Sequence, residues 1–255
     1  MLKAICLLAV VPMRKEPSHR SEMVSQLLFG EYITVGEGKE DFVHVTCLYD
    51  GYEGWVQANQ LERVESVLET TSYTNGFASL VTVNNTSVQV PYGAPVFNPQ
   101  SLSTNVADNQ ISYLVQPQQI WHSQNMTVNE TALTAAYQPF LNTPYLWGGK
   151  SVFGIDCSGF AQQVFKLFGV KLLRDAYLQA EQGTAVASVE ETKPGDLAFF
   201  QNEKGRITHV GIVLRDKKIV HASGRVRIDA IDAEGINNLT TGKRSHHLHS
   251  IRRYF

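Results

Sequence analysis

Cysteine is scarce in this chain: three residues in 255, at Cys6, Cys47 and Cys157. An odd, sparse set excludes a disulfide framework as the basis of the fold. No Cys-x-x-Cys or His-x-x-x-His pair is present to anchor a metal, so no metal or other cofactor is expected. Charge of one sign is equally lacking. A formal net charge of −2 supplies no electrostatic footprint for nucleic acid or an anionic membrane, and neither is expected as a partner. Long apolar runs are missing too. The best candidate, Ala4 to Val11, is too short to cross a bilayer. Its position after Met1-Leu2-Lys3 suggests a short signal peptide, but Pro12, Met13, Arg14 and Lys15 follow where a cleavage site would lie. It reads as a buried first strand of a cytoplasmic protein; only its removal would point to the periplasm or to export. Internal repeats of 20–50 residues and low-complexity linkers are also absent.

What is present divides into three stretches. From residue 1 to about 64, apolar runs at Ala4–Val11, Tyr32–Val35, Phe42–Leu48 and Gly54-Trp55-Val56 alternate with turn signals at Gly30, Gly36-Glu37-Gly38 and Asp50-Gly51. Such short strands fit a small β-barrel. Residues 65–125 show a second, more degenerate series at Ser79–Val83, Val88–Val90, Ala94–Phe97 and Ser112–Val115, with a long polar connection from Asn98 to Gln110. From 126 to 255 the pattern changes. Helical spacing covers Thr131–Leu141 and Cys157–Phe168, the latter closed by Gly169. Strand-like runs follow at Asp196–Phe200, His209–Leu214, Lys218–Ala222 and Val226–Ala230. Helices followed by strands indicate an α+β domain, so the whole is a multidomain α+β chain.

Cys6 and Cys47 sit among apolar neighbours and read as buried thiols. Cys157 differs, because it begins a predicted helix in Gly154-Ile155-Asp156-Cys157-Ser158-Gly159-Phe160. A helix N-terminus offers unpaired N–H groups and the positive end of a dipole, which favour thiolate and would stabilise an oxyanion. His209 opens a buried strand after a polar turn, and the next strand carries His221. If the two strands form a hairpin, His209 can take the thiol proton while His221 orients its ring. A satisfied structural role for either histidine is the competing reading.

At Tyr145-Leu146-Trp147-Gly148-Gly149, Asp156-Cys157-Ser158-Gly159-Phe160, Pro194-Gly195-Asp196-Leu197 and Thr208-His209-Val210-Gly211-Ile212, the sequence resembles the NlpC family of bacterial cell-wall cysteine peptidases. The resemblance runs from about Asn129 to the C-terminus. It implies a papain-like peptidase domain with a catalytic set of Cys157, His209 and His221. Arg174-Asp175-Ala176, His221-Ala222-Ser223-Gly224 and Asp50-Gly51-Tyr52-Glu53-Gly54-Trp55 resemble a subgroup with two N-terminal SH3-like barrels. That subgroup cleaves the γ-D-Glu–diamino acid bond of peptidoglycan stem peptides with a free N-terminal L-Ala. Peptidoglycan-derived peptides are therefore the implied partners, with intact wall or a non-catalytic wall-binding role as alternatives. The resemblance implies Asp156, Glu22 and Tyr52 for the amine end, Asp156 serving equally as a helix cap. It implies Ser158 for the D-Glu carboxylate, Tyr145 for the oxyanion site, and Trp147 as a cleft wall or core residue. Arg174 is expected in a structural pair with Asp175 or Asp196 rather than on a substrate carboxylate.

Overall fold

The computed structural model describes residues 2–124 and 126–255, which gather into two compact units. The first holds residues up to 125 together with Trp147–Phe153; the second holds Met126–Leu146 and Gly154–Phe255.

In the first unit, strands β1 (Leu2–Ile5), β2 (Val10–Arg14), β3 (Met23–Leu28), β4 (Tyr32–Lys39), β5 (Phe42–Cys47), β6 (Glu53–Gln57) and β7 (Glu62–Val64) form one antiparallel sheet in the order β3-β2-β6-β5-β4-β1-β7. The run expected as a single strand from Ala4 to Val11 is broken: the chain turns at Cys6–Ala9, where Gly30 N–H donates to the Cys6 carbonyl. Alternation carries β1 and the two residues after it into two cores. Ala4 and Cys6 pack with Val11, Met13, Leu27 and Cys47, while Ile5 and Leu7 pack with Phe29, Val81, Val90 and Ile111. Cys6 and Cys47 are accordingly buried free thiols.

Residues 72–122 supply β8 (Ser72–Thr74), β9 (Ala78–Val83), β10 (Thr86–Pro91), β11 (Ser103–Val106), β12 (Asn109–Tyr113) and β13 (Ile120–His122), arranged as a β10-β9-β12-β11 sheet and a β13-β8 pair. Here the expected polar connection from Asn98 to Gln110 is a folded β11–β12 hairpin. Left-handed backbone at Asn98, Leu102 and Ala107 turns the chain, and Val106 anchors it in the core. Ala94–Phe97, expected as a strand, is buried but forms only an isolated bridge from Pro95 to Tyr73.

The excursion Trp147–Phe153 carries the two-residue strand β14 (Lys150–Ser151) and is fixed in the first unit by a buried ion pair. Lys150 Nζ lies 3.1 and 3.0 Å from the two carboxylate oxygens of Glu31, and Gln26 Oε1 accepts from the Lys150 N–H. Gly148, at φ +75°, leaves room for the Met23 carbonyl, which a Cβ there would strike.

The second unit contains β15 (Gly154–Ile155), α1 (Glu130–Tyr137), α2 (Cys157–Lys166), α3 (Ala176–Gln179) and strands β16 (Thr184–Val186), β17 (Leu197–Gln201), β18 (Ile207–Val213), β19 (Lys218–Ser223), β20 (Arg225–Asp232), β21 (Gly235–Asn237) and β22 (Arg244–Arg253). The sheet order is β16-β22-β17-β18-β19-β20-β21, and β21 also pairs with β22, closing β17 to β22 into a ring. The expected first helix stops at Tyr137 and continues as one 3₁₀ turn around Pro139. Among the described residues no helix is long and apolar enough to span a membrane.

A lone ammonium in an apolar interior is far costlier than a paired one. Glu31→Ala is expected to destabilise the first unit by about 3–5 kcal/mol, read from urea unfolding. Replacing Glu31 and Lys150 together with Gln and Met should restore much of that loss.

Candidate active site

Local chemistry explains why α2 begins at Cys157. Asp156 has extended backbone, and its Oδ1 accepts from the Gly159 N–H at 2.7 Å, capping the first turn. The same carboxylate receives two hydrogen bonds from Arg174, 3.0 Å to Oδ1 and 2.6 Å to Oδ2. Ser158 completes the group, donating to Asp156 at 3.3 Å and accepting from Arg174 at 2.9 Å. All three residues are buried. Arg174 was expected to pair with Asp175 or Asp196. Asp196 is taken by Arg253 at 2.7 and 2.8 Å, and the fully buried guanidinium of Arg174 meets Asp156, beside Cys157.

Cys157 begins α2, which packs on β18, the strand that carries His209; the backbone N–H groups of Val210 and Ser158 favour the thiolate. Gly211 keeps the neighbouring strand close, since a Cβ there would come within 3.0 Å of both Ile219 and His221. In that register His221 lies opposite Gly211. His209 Nε2 and His221 Nδ1 are 2.8 Å apart, and His221 Nε2 is 3.0 Å from Asp229 Oδ2. The hairpin expected from the sequence therefore brings both imidazoles together.

Sequence reasoning missed Asp229 and His246. Asp229 is buried, receives two hydrogen bonds from Arg227 at 2.8 and 2.6 Å, and accepts from the Leu239 N–H at 2.9 Å. His246, from β22, stacks on His209 with ring centroids 4.1 Å apart. The cue for Asp229 was its place two residues after Arg227 on the strand following His221; His246 lies in the run His246-His247-Leu248-His249.

Electrostatics here differ from the expectation of a lowered thiol pKa. Burial and the adjacent Asp156 carboxylate push Cys157 up to about 12, outweighing the two N–H donors and Arg174. Burial, with the imidazoles of His246 and His221 close by to oppose a further positive charge, holds His209 well below the usual imidazole range. His246 is lowered to about 4, mainly by burial. The resting pair is thus neutral thiol and neutral imidazole. Tyr145, half-buried, has its hydroxyl pKa raised chiefly by burial, with the Asp156 carboxylate adding to it, so it stays a hydrogen-bond donor.

Nitrogens of His209, His221 and His246 lie within 4.8 Å of one another, a grouping that invites a metal. Ring geometry argues against it. The His209 and His246 planes are only 22° apart and stacked, so their lone pairs run side by side rather than converging. The 2.8 Å separation of His209 and His221 is a hydrogen bond, shorter than the roughly 3.3 Å between ligand atoms on tetrahedral zinc.

In the first unit, Trp147 Nε1–H donates to Glu22 Oε1 at 2.8 Å. Trp147 is 61% exposed, which removes the core role weighed for it. Tyr52 packs partly against the β2–β6 core, and its N–H donates to Asp50 Oδ1.

Comparison with known proteins follows this geometry. Residues 142–245 match the NlpC/P60 family, and residues 13–61 match the bacterial dipeptidyl-peptidase SH3 domain. The chain is 31% identical over 215 residues to a gamma-D-glutamyl-L-lysine dipeptidyl-peptidase of Bacillus subtilis, covering 78% of this chain and 71% of that protein. The chain belongs to the NlpC/P60 family. It is a cysteine peptidase with an N-terminal SH3-like domain and an NlpC/P60 domain. Dipeptidyl-peptidase 6 of Lysinibacillus sphaericus is 26% identical over 260 residues, covering 91% of this chain and 93% of that one. The crystal structure of an NlpC/P60 family protein from Bacillus cereus superposes with a TM-score of 0.80 at 22% identity over 99% of both chains, a likeness of fold.

A neutral resting thiol has a measurable signature. The second-order rate of Cys157 alkylation by iodoacetamide should climb continuously from pH 5 to pH 9, because the thiolate fraction keeps rising toward a pKa of about 12. A plateau between pH 5 and 7 would instead reveal a preformed thiolate–imidazolium pair. The acid limb of kcat/KM should lie below the ~6.5 of an ordinary histidine, since His209 stays neutral to lower pH.

Proposed function

We propose that the protein hydrolyses the γ-D-Glu–diamino acid bond of peptidoglycan stem peptides bearing a free N-terminal L-Ala, releasing L-Ala-γ-D-Glu in cytoplasmic recycling. Cys157 is the nucleophile, His209 the general base and His221 the group that orients it. One observation supports the assignment: the single cysteine within the NlpC/P60 match begins a helix packed on the strand that carries His209, whose ring is hydrogen-bonded to His221. We also read residues 65–125 as a second SH3-like barrel and the NlpC/P60 domain as papain-like, with domains at 1–64, 65–125 and 126–255.

The chemistry follows from neutral partners. As Cys157 Sγ attacks the carbonyl carbon, its proton passes to His209, the S–C bond forms, and the carbonyl electrons move onto oxygen. The Ser158 N–H and the Tyr145 hydroxyl are the donors assigned to that oxyanion. Collapse breaks the amide bond, and His209 returns the proton to the departing amine. Water, deprotonated by His209, then releases L-Ala-γ-D-Glu from sulfur. Because neither resting partner is charged, the imidazolium and the oxyanion appear together and charge separation is confined to the transition state.

Substrate reading is assigned to Asp156, Ser158, Glu22, Tyr52 and Trp147. The Glu22 carboxylate, steered by the indole N–H, bordered by an exposed ring and paired only through solvent-exposed groups with the Lys15 ammonium at 3.6 Å, has the chemistry of an ammonium site. Asp156 is already matched by Arg174, so it contributes to the amine end as part of a neutralised pair. The Names of the Bacillus subtilis and Lysinibacillus sphaericus relatives as dipeptidyl-peptidases support this restriction to a short end piece.

Turnover of L-Ala-γ-D-Glu-L-Lys compared with its N-acetylated copy tests the reading. Acetylation should cut kcat/KM at least about 10-fold, the ~1.5–3 kcal/mol of a charge-assisted hydrogen bond. Equal turnover would favour hydrolysis of intact wall. Cys157→Ala should remove all hydrolysis.

A further inference from the structure

Behind the two histidines lies a carboxylate that the hydrolytic scheme leaves without a role. Asp229 is buried on β20, and its Oδ2 gathers donors from Arg227 and from His221 Nε2. Building on the assignment of His209 as base, we propose that Asp229 is a positioning residue that fixes the tautomers of both imidazoles and so leaves His209 Nδ1 bare to receive the Cys157 proton.

The argument is one of donors and acceptors. An ionised carboxylate only accepts, so the 3.0 Å contact requires a proton on His221 Nε2. A neutral His221 then presents a bare Nδ1. His209 Nε2, 2.8 Å away, must be the donor of that bond. With its proton on Nε2, neutral His209 has a lone pair on Nδ1 and nowhere else. Reversing the order gives the opposite result: a proton on His221 Nδ1 would force one onto His209 Nδ1 and block the base.

Three features keep the carboxylate in its role. Burial works to raise its pKa, yet hydrogen bonds from His221, the Leu239 N–H and Arg227 hold it below the usual carboxylate range. Arg227 faces His221 directly in the β19–β20 register, and its guanidinium compensates the charge of Asp229. Asp229 itself lies opposite Ile219, two residues from the His221 position, so the contact is the diagonal one that a twisted antiparallel pair permits. When His209 becomes an imidazolium, the same chain of bonds runs His209 to His221 to Asp229, and the carboxylate lies on the side where the positive charge is shared.

The decisive measurement uses the wild-type protein. Ring-nitrogen NMR on ¹⁵N-histidine-labelled enzyme at pH 8 should show both His209 and His221 with protonated Nε2 and bare Nδ1. A proton on Nδ1 of either ring overturns the proposal, whatever any variant does. For Asp229→Ala, kcat should fall about 10- to 10³-fold, less than the ~10⁴ that follows when the carboxylate bonded directly to a catalytic histidine is replaced by an amide that admits the wrong tautomer. KM should stay within about 3-fold, because no substrate contact is removed. In Asp229→Asn the Arg227 donors hold the amide oxygen, not its NH₂, at the position facing His221, so this variant should recover much of the loss, a rescue that a purely structural defect would not give. A folded Asp229→Ala enzyme with wild-type kcat sinks the inference and leaves the nucleophile assignment standing. Residual hydrolysis by Cys157→Ala would instead remove the reading on which it rests.

Discussion

The fixed point of the active site is the Asp156 carboxylate. It caps α2, receives both arms of Arg174 and accepts from Ser158, so three groups converge on two oxygens. Loss of Arg174 would leave a buried charge uncompensated, and burial makes that costly. This rigidity sets the direction of the first turn of α2, which begins at Cys157 and packs on β18, the strand that carries His209.

That alignment has an electrostatic consequence. Cys157 lies beside the anionic helix cap and away from water, and both raise its pKa despite its place at a helix N-terminus. The dipole and the two N–H donors work in its favour but are outweighed by desolvation and by Asp156. His209 is neutral for a parallel reason, with two imidazoles against it. Proton transfer is thereby coupled to attack, and the N–H donors act mainly on charge that develops during the reaction.

The sequence made the helical and apolar parts of this arrangement legible. Asn129 and Asp156 marked the helix starts, and the runs that became β17 to β20 were visible from their apolar content. The strands that escaped were those whose inward residues are polar. β22 reads Arg-Ser-His-His-Leu-His-Ser-Ile-Arg-Arg, with little apolar alternation, because one of its residues stacks on His209 and another pairs with Asp196. Asp229 was hidden by the opposite effect. It alternates with Val226, Ile228 and Ala230 as a solvent-facing residue would, but β20 is covered on both faces. Pattern rules fail where polar groups are buried for chemistry. Arg174 was recognised as structural from its neighbours, yet its partner lay in a different element and no local spacing could point to it.

The two misses belong to one constraint. A ring of strands closed by β21 and β22 lets residues far apart in sequence share one interior layer: Phe200, His209, His221, Asp229 and His246 come from five strands. Its closure buries His209 and His221, and their hydrogen bonds with Asp229 run in a single direction. A layer open to water would let each ring exchange tautomers independently, and the proton on His209 would no longer be determined by a carboxylate two bonds away. The strand least visible in the sequence is thus the one that makes the order of protons in the site a property of the fold.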